Sequence, residues 1–257
     1  AGYIALAQSH LPWIFTENFM SRHNLPFATN DNGYAGAEGT QILVNNDALK
    51  NHFTALTEWK KDGFFEWYGT SWDDNQNAFE DGKAAIWLGS SGSFGGLMSK
   101  DLGFEFSASY LPYWEAVTTE PKQTFIGGAS LFAMSGHDAA ENEATAKFFE
   151  FLTSADVQYY WHKETGYVPI TTAAYDAAKA DGHYDRFPAA EVGIQQLSLP
   201  GGENTKGYRM GFYVQIRDVM NREYGRILTG ETSVEDAFQN IETEANELLE
   251  RFAKTQG

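Results

Sequence analysis

The 257-residue chain contains no cysteine, which removes disulfides, zinc–thiolate sites and thiol nucleophiles from consideration. That usage is compatible with an oxidising compartment without requiring one. Positive charge is scarce: 18 Lys and Arg stand against 35 Asp and Glu, a formal net charge of −17. So acidic a body repels nucleic acid and anionic membrane, and an anionic ligand would have to be captured by local groups. Missing too is any apolar run of about 18 residues, the length a membrane-spanning helix needs. The opening residues do not read as a secretory leader, and a start at Ala1 rather than Met suggests a processed or cut end.

Catalytic signatures are equally sparse. The six His, at 10, 23, 52, 137, 162 and 183, form no H-x-x-x-H or H-E-x-x-H pattern. There is no G-x-S-x-G elbow, and Gly89-Ser90-Ser91-Gly92 lacks the Lys and the spacing of a phosphate-binding Walker loop. With 35 acidic residues, some carboxylate pair can always be proposed, so a glycosidase reading discriminates little. The expectation is a protein that is not an enzyme and needs no metal or cofactor.

Aromatics are abundant, at 7 Trp, 13 Tyr and 19 Phe, enough to suggest stacking surfaces for sugars or polyols beyond what a core requires. Trp13, Trp87, Trp114 and Trp161 are the candidates; Trp59 has the helical spacing of a core residue. Periodicity predicts a helix within residues 1–25 and a short strand near Ile42 to Val44. A helix capped by Asp47 follows, with Leu49, Phe53, Leu56 and Trp59 on one face. Further along come a short helix over 75–81 and a buried strand over 84–88. Strands are also expected near 104–110 and 130–134, and a helix over 144–152 with Phe148, Phe149, Phe151 and Leu152 mostly inward. Helices then dominate: 157–163, 173–180, 192–196, 214–228 and 233–253, the last with a cap-like Ser233-x-x-Asp236. Strand and helix alternate, which indicates an α/β class.

The most informative run is FEDGKAAIWLGSSGS, Phe79 to Ser93: helix, turn, strand, then a hydroxyl-rich loop of Ser90, Ser91 and Ser93. Small residues with free amides at a strand's end, opening into a helix, are where open α/β sheets hold ligands. The alternative is an ordinary helix N-cap. A second turn, Ile126 to Ser130 around Gly127 and Gly128, lets backbone approach a ligand closely, or serves only as a hinge. Arg209 and Arg217 offer planar guanidinium groups to a phosphate or carboxylate. For either Arg the competing reading is a surface salt bridge, for instance with Asp218 or Glu223. Tyr167, just after a helix stop, presents a ring face and a hydroxyl.

FEDGKAAIWLGSSGS, IGGASLFAM, AKFFEFLTSADVQYYWHKETGYVPIT and KGYRMG with QIR, joined by ENF and NLPFAT near the start, resemble the extracellular solute-binding proteins of ABC importers, over nearly the whole chain. IGGAS with KG-x-R-x-G and QIR is similar to the glycerophosphate-binding branch. The resemblance implies a periplasmic protein that binds glycerol-3-phosphate or a glycerophosphodiester such as glycerophosphocholine between two lobes, as a monomer, and delivers it to the membrane permease. A binder of neutral sugars or oligosaccharides is the alternative, and a carbohydrate-active enzyme or an interaction module the rivals from other classes. The match carries Ser90, Gly128, Tyr167 and Arg217 into the cleft, with Arg217 and the Gly128 amide serving the phosphate, and Arg209, Ser91 and Ser93 beside them. The aromatic platform falls at SHLPW, where His10 stands in place of the usual Trp and Trp13 is retained.

The resemblance implies a type II periplasmic-binding-protein-like lobe, helix-rich, with an incomplete second lobe. Residues 1–125 would be the first part of the C-terminal lobe, 126–170 a segment returning to the N-terminal lobe, and 171–257 the helical second part. A chain lacking the other lobe is expected to bind weakly or not at all.

Overall fold

Three short parallel strands form the sheet of this computed structural model, which describes residues 3–8 and 11–255. Strand β1, Ile4–Gln8, lies between β2, Phe65–Glu66, and β3, Ala84–Leu88. The registers are Leu6 opposite Phe65 on one side and opposite Ile86 on the other. The opening residues thus include a strand within the region expected to be helical. The helix begins only at Pro12, where proline sheds an amide that the first turn leaves unbonded anyway. It runs as a π-helical stretch, Pro12–Asn18, and continues as Phe19–Arg22.

The chain divides into two compact units. The first comprises residues 1–89, 111–125 and 198–257; the second comprises 90–110 and 126–197. In the first unit, helix Asp47–Lys61 is capped by Asn46, whose side chain accepts the Leu49 amide, so Asp47 is its first residue rather than its cap. Its inner face, Leu49, Phe53 and Leu56, meets Ile216, Met220 and Tyr224 of helix Tyr213–Thr229. Helix Val234–Ala253 adds Phe238, Ile241, Ala245 and Leu249 to the same core. The Phe53 ring stacks on Tyr224 at 4.2 Å and meets Phe238 edge-on. Ser233 caps the last helix as expected, accepting the Asp236 amide.

Helix Trp72–Glu80, capped by Ser71, covers the short helix expected over 75–81. β3 is where the sequence placed it, and parallel, but it is not a buried strand. It pairs on one side only, and Ile86 is 53% exposed, because a three-stranded sheet leaves this edge uncovered. Ile42 makes only an isolated bridge to Ala28. Trp59 lies at the margin of the core, stacked on Trp114 at 6.0 Å.

Every regular element of the second unit among its described residues is a helix, with irregular chain over 99–110 and 126–138. Helices Ala139–Leu152, Ala155–Thr165, Thr172–Ala180, His183–Arg186 and Ala189–Leu197 surround a small core of Ala178, Tyr184 and Ala190, with Tyr159, Tyr175 and Ile194 against it. The strands expected at 104–110 and 130–134 do not form, since neither run has a ladder partner among the described residues. Helix Ala139–Leu152 carries a full capping box at Asp138 and Glu141. Phe148 and Phe151, expected inward, are 54% and 59% exposed, and no residue of this helix is buried.

Candidate functional site

In the second unit the hydroxyl-rich loop is a tight turn. Ser90 caps a single 3-10 turn, Ser91–Ser93, by accepting the Gly92 amide at 3.2 Å, which leaves its own hydroxyl proton to be donated. Helix Phe94–Met98 follows. A Cβ on Gly92 would come within 2.8 Å of the Tyr167 ring, so the ring lies against bare backbone. Gly128, at φ +122°, faces the same ring from another side, 3.7 Å from where its Cβ would sit. The structure therefore gathers the Ser90 turn, Gly128 and Tyr167 in one place.

Tyr167 is held there by its backbone. Gly166 ends helix Ala155–Thr165 in the left-handed region at φ +83°, and a Cβ on it would fall 2.2 Å from the Ser91 carbonyl oxygen. The His162 Nδ1–H donates to the Tyr167 carbonyl at 2.6 Å, and Nε2 accepts from the Tyr184 hydroxyl at 3.1 Å. Burial lowers the His162 pKa, which keeps this imidazole neutral. The ring of Tyr167 itself is 44% exposed, available as a face. Trp161, on the same helix, is exposed as well.

In the first unit, Arg217 has a partner that its sequence neighbourhood does not reveal. Neither Asp218 nor Glu223 takes it. Its Nε and Nη2 donate to the two carboxylate oxygens of Glu17 at 2.7 and 2.6 Å, a bidentate fork across 200 residues of sequence. Glu17 is 1% exposed and also accepts the Tyr208 and Tyr213 hydroxyls at 2.6 and 2.8 Å. Burial and then the Glu17 charge push both tyrosine pKa values up; burial pulls at Arg217, but its bonds to Glu17 prevail and raise it. The pair is neutral as a whole, so the expected free cation is instead a fixed guanidinium. Its Nη1 has no partner among the described residues.

Glu223 is spent on Arg222, Arg226 and Asn240. Arg209 is exposed, and its amide donates to the Asn32 carbonyl. Trp13 is half-buried and begins an aromatic series: Trp13 to Trp72 at 6.3 Å, Trp72 to Trp87 at 5.5 Å, Trp87 to Phe79 at 6.3 Å. Trp114 is committed inside, its Nε1 donating to His52. His10 lies outside the described residues.

Glu17 is the residue that the sequence reading missed. Its signal was a lone carboxylate within LPWIFTENF, one helical turn after Ile14 in an otherwise largely apolar run. The π-helical stretch that carries it is a feature often found at functional sites. No group of His, Asp and Glu among the described residues is placed to hold a metal ion, and no helix there is long and apolar enough to cross a membrane.

The pattern of the bacterial extracellular solute-binding protein family matches residues 11–188. The chain belongs to this family. Its relatives include the sn-glycerol-3-phosphate-binding periplasmic proteins UgpB of Salmonella typhimurium, 35% identical over 243 residues, and of Yersinia enterocolitica, 36% identical over 245 residues. These alignments cover 94% and 95% of this chain but 55% of each relative, so the chain spans about half the length of the curated relatives it matches. Among solved structures, UgpB from Mycobacterium tuberculosis in complex with glycerophosphocholine is similar with a TM-score of 0.76 at 20% identity, covering 98% of this chain and 59% of that one. The cyclic alpha-maltosyl-1,6-maltose binding protein from Arthrobacter globiformis is similar with a TM-score of 0.68 at 22% identity, covering 98% and 61%. The fold of this solute-binding chain is thus that of a helix-rich α/β binding protein, and its relatives are binders of solutes rather than enzymes.

Proposed function

We propose that this solute-binding chain is the larger part of a periplasmic protein that captures glycerol-3-phosphate or a glycerophosphodiester such as glycerophosphocholine and delivers it to an ABC permease, as a monomer and without catalysis. The observation that carries this reading is the identity of 34–36% to several proteins named as sn-glycerol-3-phosphate-binding, over at least 93% of the chain. In the proposal, the Ser90 hydroxyl, the Gly128 amide and the Tyr167 hydroxyl supply uncharged donors to the phosphate. Arg217 offers Nη1 while Glu17 holds the rest of the guanidinium still. Residues 126–170 return to a further lobe that completes the clamp. Closure follows because only the closed state lets both lobes touch the ligand.

Calorimetry on the full-length protein with glycerol-3-phosphate, glycerophosphocholine and maltose tests the reading. The two phosphate compounds should bind and maltose should not. Arg217→Lys keeps the charge but loses the fork, and should weaken both phosphate ligands at least tenfold. A neutral-sugar binder is the second reading. The cancellation of Arg217 by Glu17 favours it, as does the aromatic series from Trp13 to Trp87. Maltose binding with no response to glycerol-3-phosphate would decide for it.

A further inference from the structure

The first unit holds a partly open pocket of about 210 Å³ that shares no residue with the Ser90, Gly128, Tyr167 and Arg217 set. Its wall is chiefly aromatic and aliphatic, with Phe15, Phe19, Leu56, Trp59 and Trp114 among the lining side chains. His52 stands in this wall, 8% exposed. The Trp114 indole donates to its Nδ1 at 3.0 Å, and an atom that accepts there carries no proton. The imidazole proton therefore sits on Nε2, where no acceptor meets it. Burial, with the nearby charge of His23 second, pushes the His52 pKa down to about 3, so the ring is neutral at ordinary pH and attracts no anion.

Two further polar residues of the wall hold backbone groups of neighbouring segments. Asn18 Oδ1 accepts the Phe125 amide at 2.8 Å, and Arg22 donates Nη1 to the Lys122 carbonyl at 2.6 Å and Nη2 to the Leu111 carbonyl at 3.0 Å. His52 Nε2–H is a buried donor that a ligand oxygen can satisfy. An apolar cavity of about 150 Å³ takes a benzene ring, so this one has room for about one or two heavy atoms more. We propose that this cavity is a binding site for a small uncharged aromatic molecule carrying one neutral oxygen acceptor, its ring against Phe15, Phe19 and Trp59 and its oxygen accepting from His52 Nε2–H.

Anisole and ethylbenzene test this, since they share size and shape and differ in having an oxygen or a methylene at one position. Both are titrated into the full-length protein with ligand-observed NMR, and the ¹⁵N resonance of His52 Nε2 is followed. Wild type should bind anisole saturably and at least fivefold more tightly than ethylbenzene, although anisole is the better hydrated of the two, and the Nε2 resonance should shift with anisole alone. His52→Phe should remove the preference, and Leu56→Trp, which fills the space, should abolish binding of both. Because the wild-type comparison needs no variant, a substitution that unfolds the protein leaves the test intact. Equal affinity for the two molecules, no saturable binding of either, or an Nε2 resonance indifferent to anisole would overturn the proposal.

Discussion

A carboxylate buried to 1% exposure with two tyrosine hydroxyls and a guanidinium around it is the costliest polar group in the first unit to disturb. Removing one member of such a pair strands the other in a medium that solvates it poorly. Arg217→Ala should therefore lower stability by roughly 3 kcal/mol, measured by denaturant unfolding, and Glu17→Ala by a similar amount. The double change to Gln should cost less than the sum of the two, since neither charge is then left alone. The pair was illegible in the sequence because 200 positions separate its members and no local spacing encodes that contact. The turns that carry Ser90 and Tyr167 were legible as turns, whereas their grouping with Gly128 was implied only by the family resemblance. His52 gives a second expectation at this scale. Its pKa falls from 6.5 to about 3 on folding, so between those values the unfolded chain binds more protons than the folded one. Its contribution to stability is complete above pH 6.5 and is lost as pH falls toward 3, at about 1.4 kcal/mol per pH unit. His52→Gln should flatten the dependence of stability on pH between about 6 and 4, followed by urea unfolding across that range.

Whole elements were legible where a cap and an apolar stripe agree. The Val234–Ala253 helix has both, with Ser233 as the expected cap; Asp47–Lys61 was read from its stripe although its cap is Asn46 rather than Asp47, and Trp72–Glu80 starts three residues before the expected 75–81. Strands were read poorly, because an apolar run states that a segment can pair but not that a partner exists. Residues 104–110 and 130–134 are such runs without partners among the described residues, while Ile4–Gln8 finds partners on both sides. Helix Ala139–Leu152 shows the same logic on a helical face: Phe148 and Phe151 imply a covering surface that the described residues do not supply. If residues 126–170 return to a further lobe in the full-length protein, Phe148→Asp and Phe151→Asp should each cost about 2 kcal/mol there by chemical denaturation, against less than about 0.5 kcal/mol for a true surface position.

For the molecule as a whole, a net charge of −17 bears on the proposed capture of a phosphate compound. If the ligand is the proposed phosphate compound, the field of the body opposes it at long range, so selection would come from short-range donors. In the proposed function, backbone amides, hydroxyls and one guanidinium held by Glu17 would supply such donors without adding net charge. The family and the fold class were legible from motifs spread along the chain. The proposed clamp was not legible in full, because the curated relatives are nearly twice as long as this chain. The most direct test is a crystal structure of the full-length protein with glycerophosphocholine. The account predicts the phosphate within hydrogen-bond distance of Ser90, the Gly128 amide, Tyr167 and Arg217 Nη1; a phosphate bound elsewhere, with those four groups on separate surfaces, would contradict it.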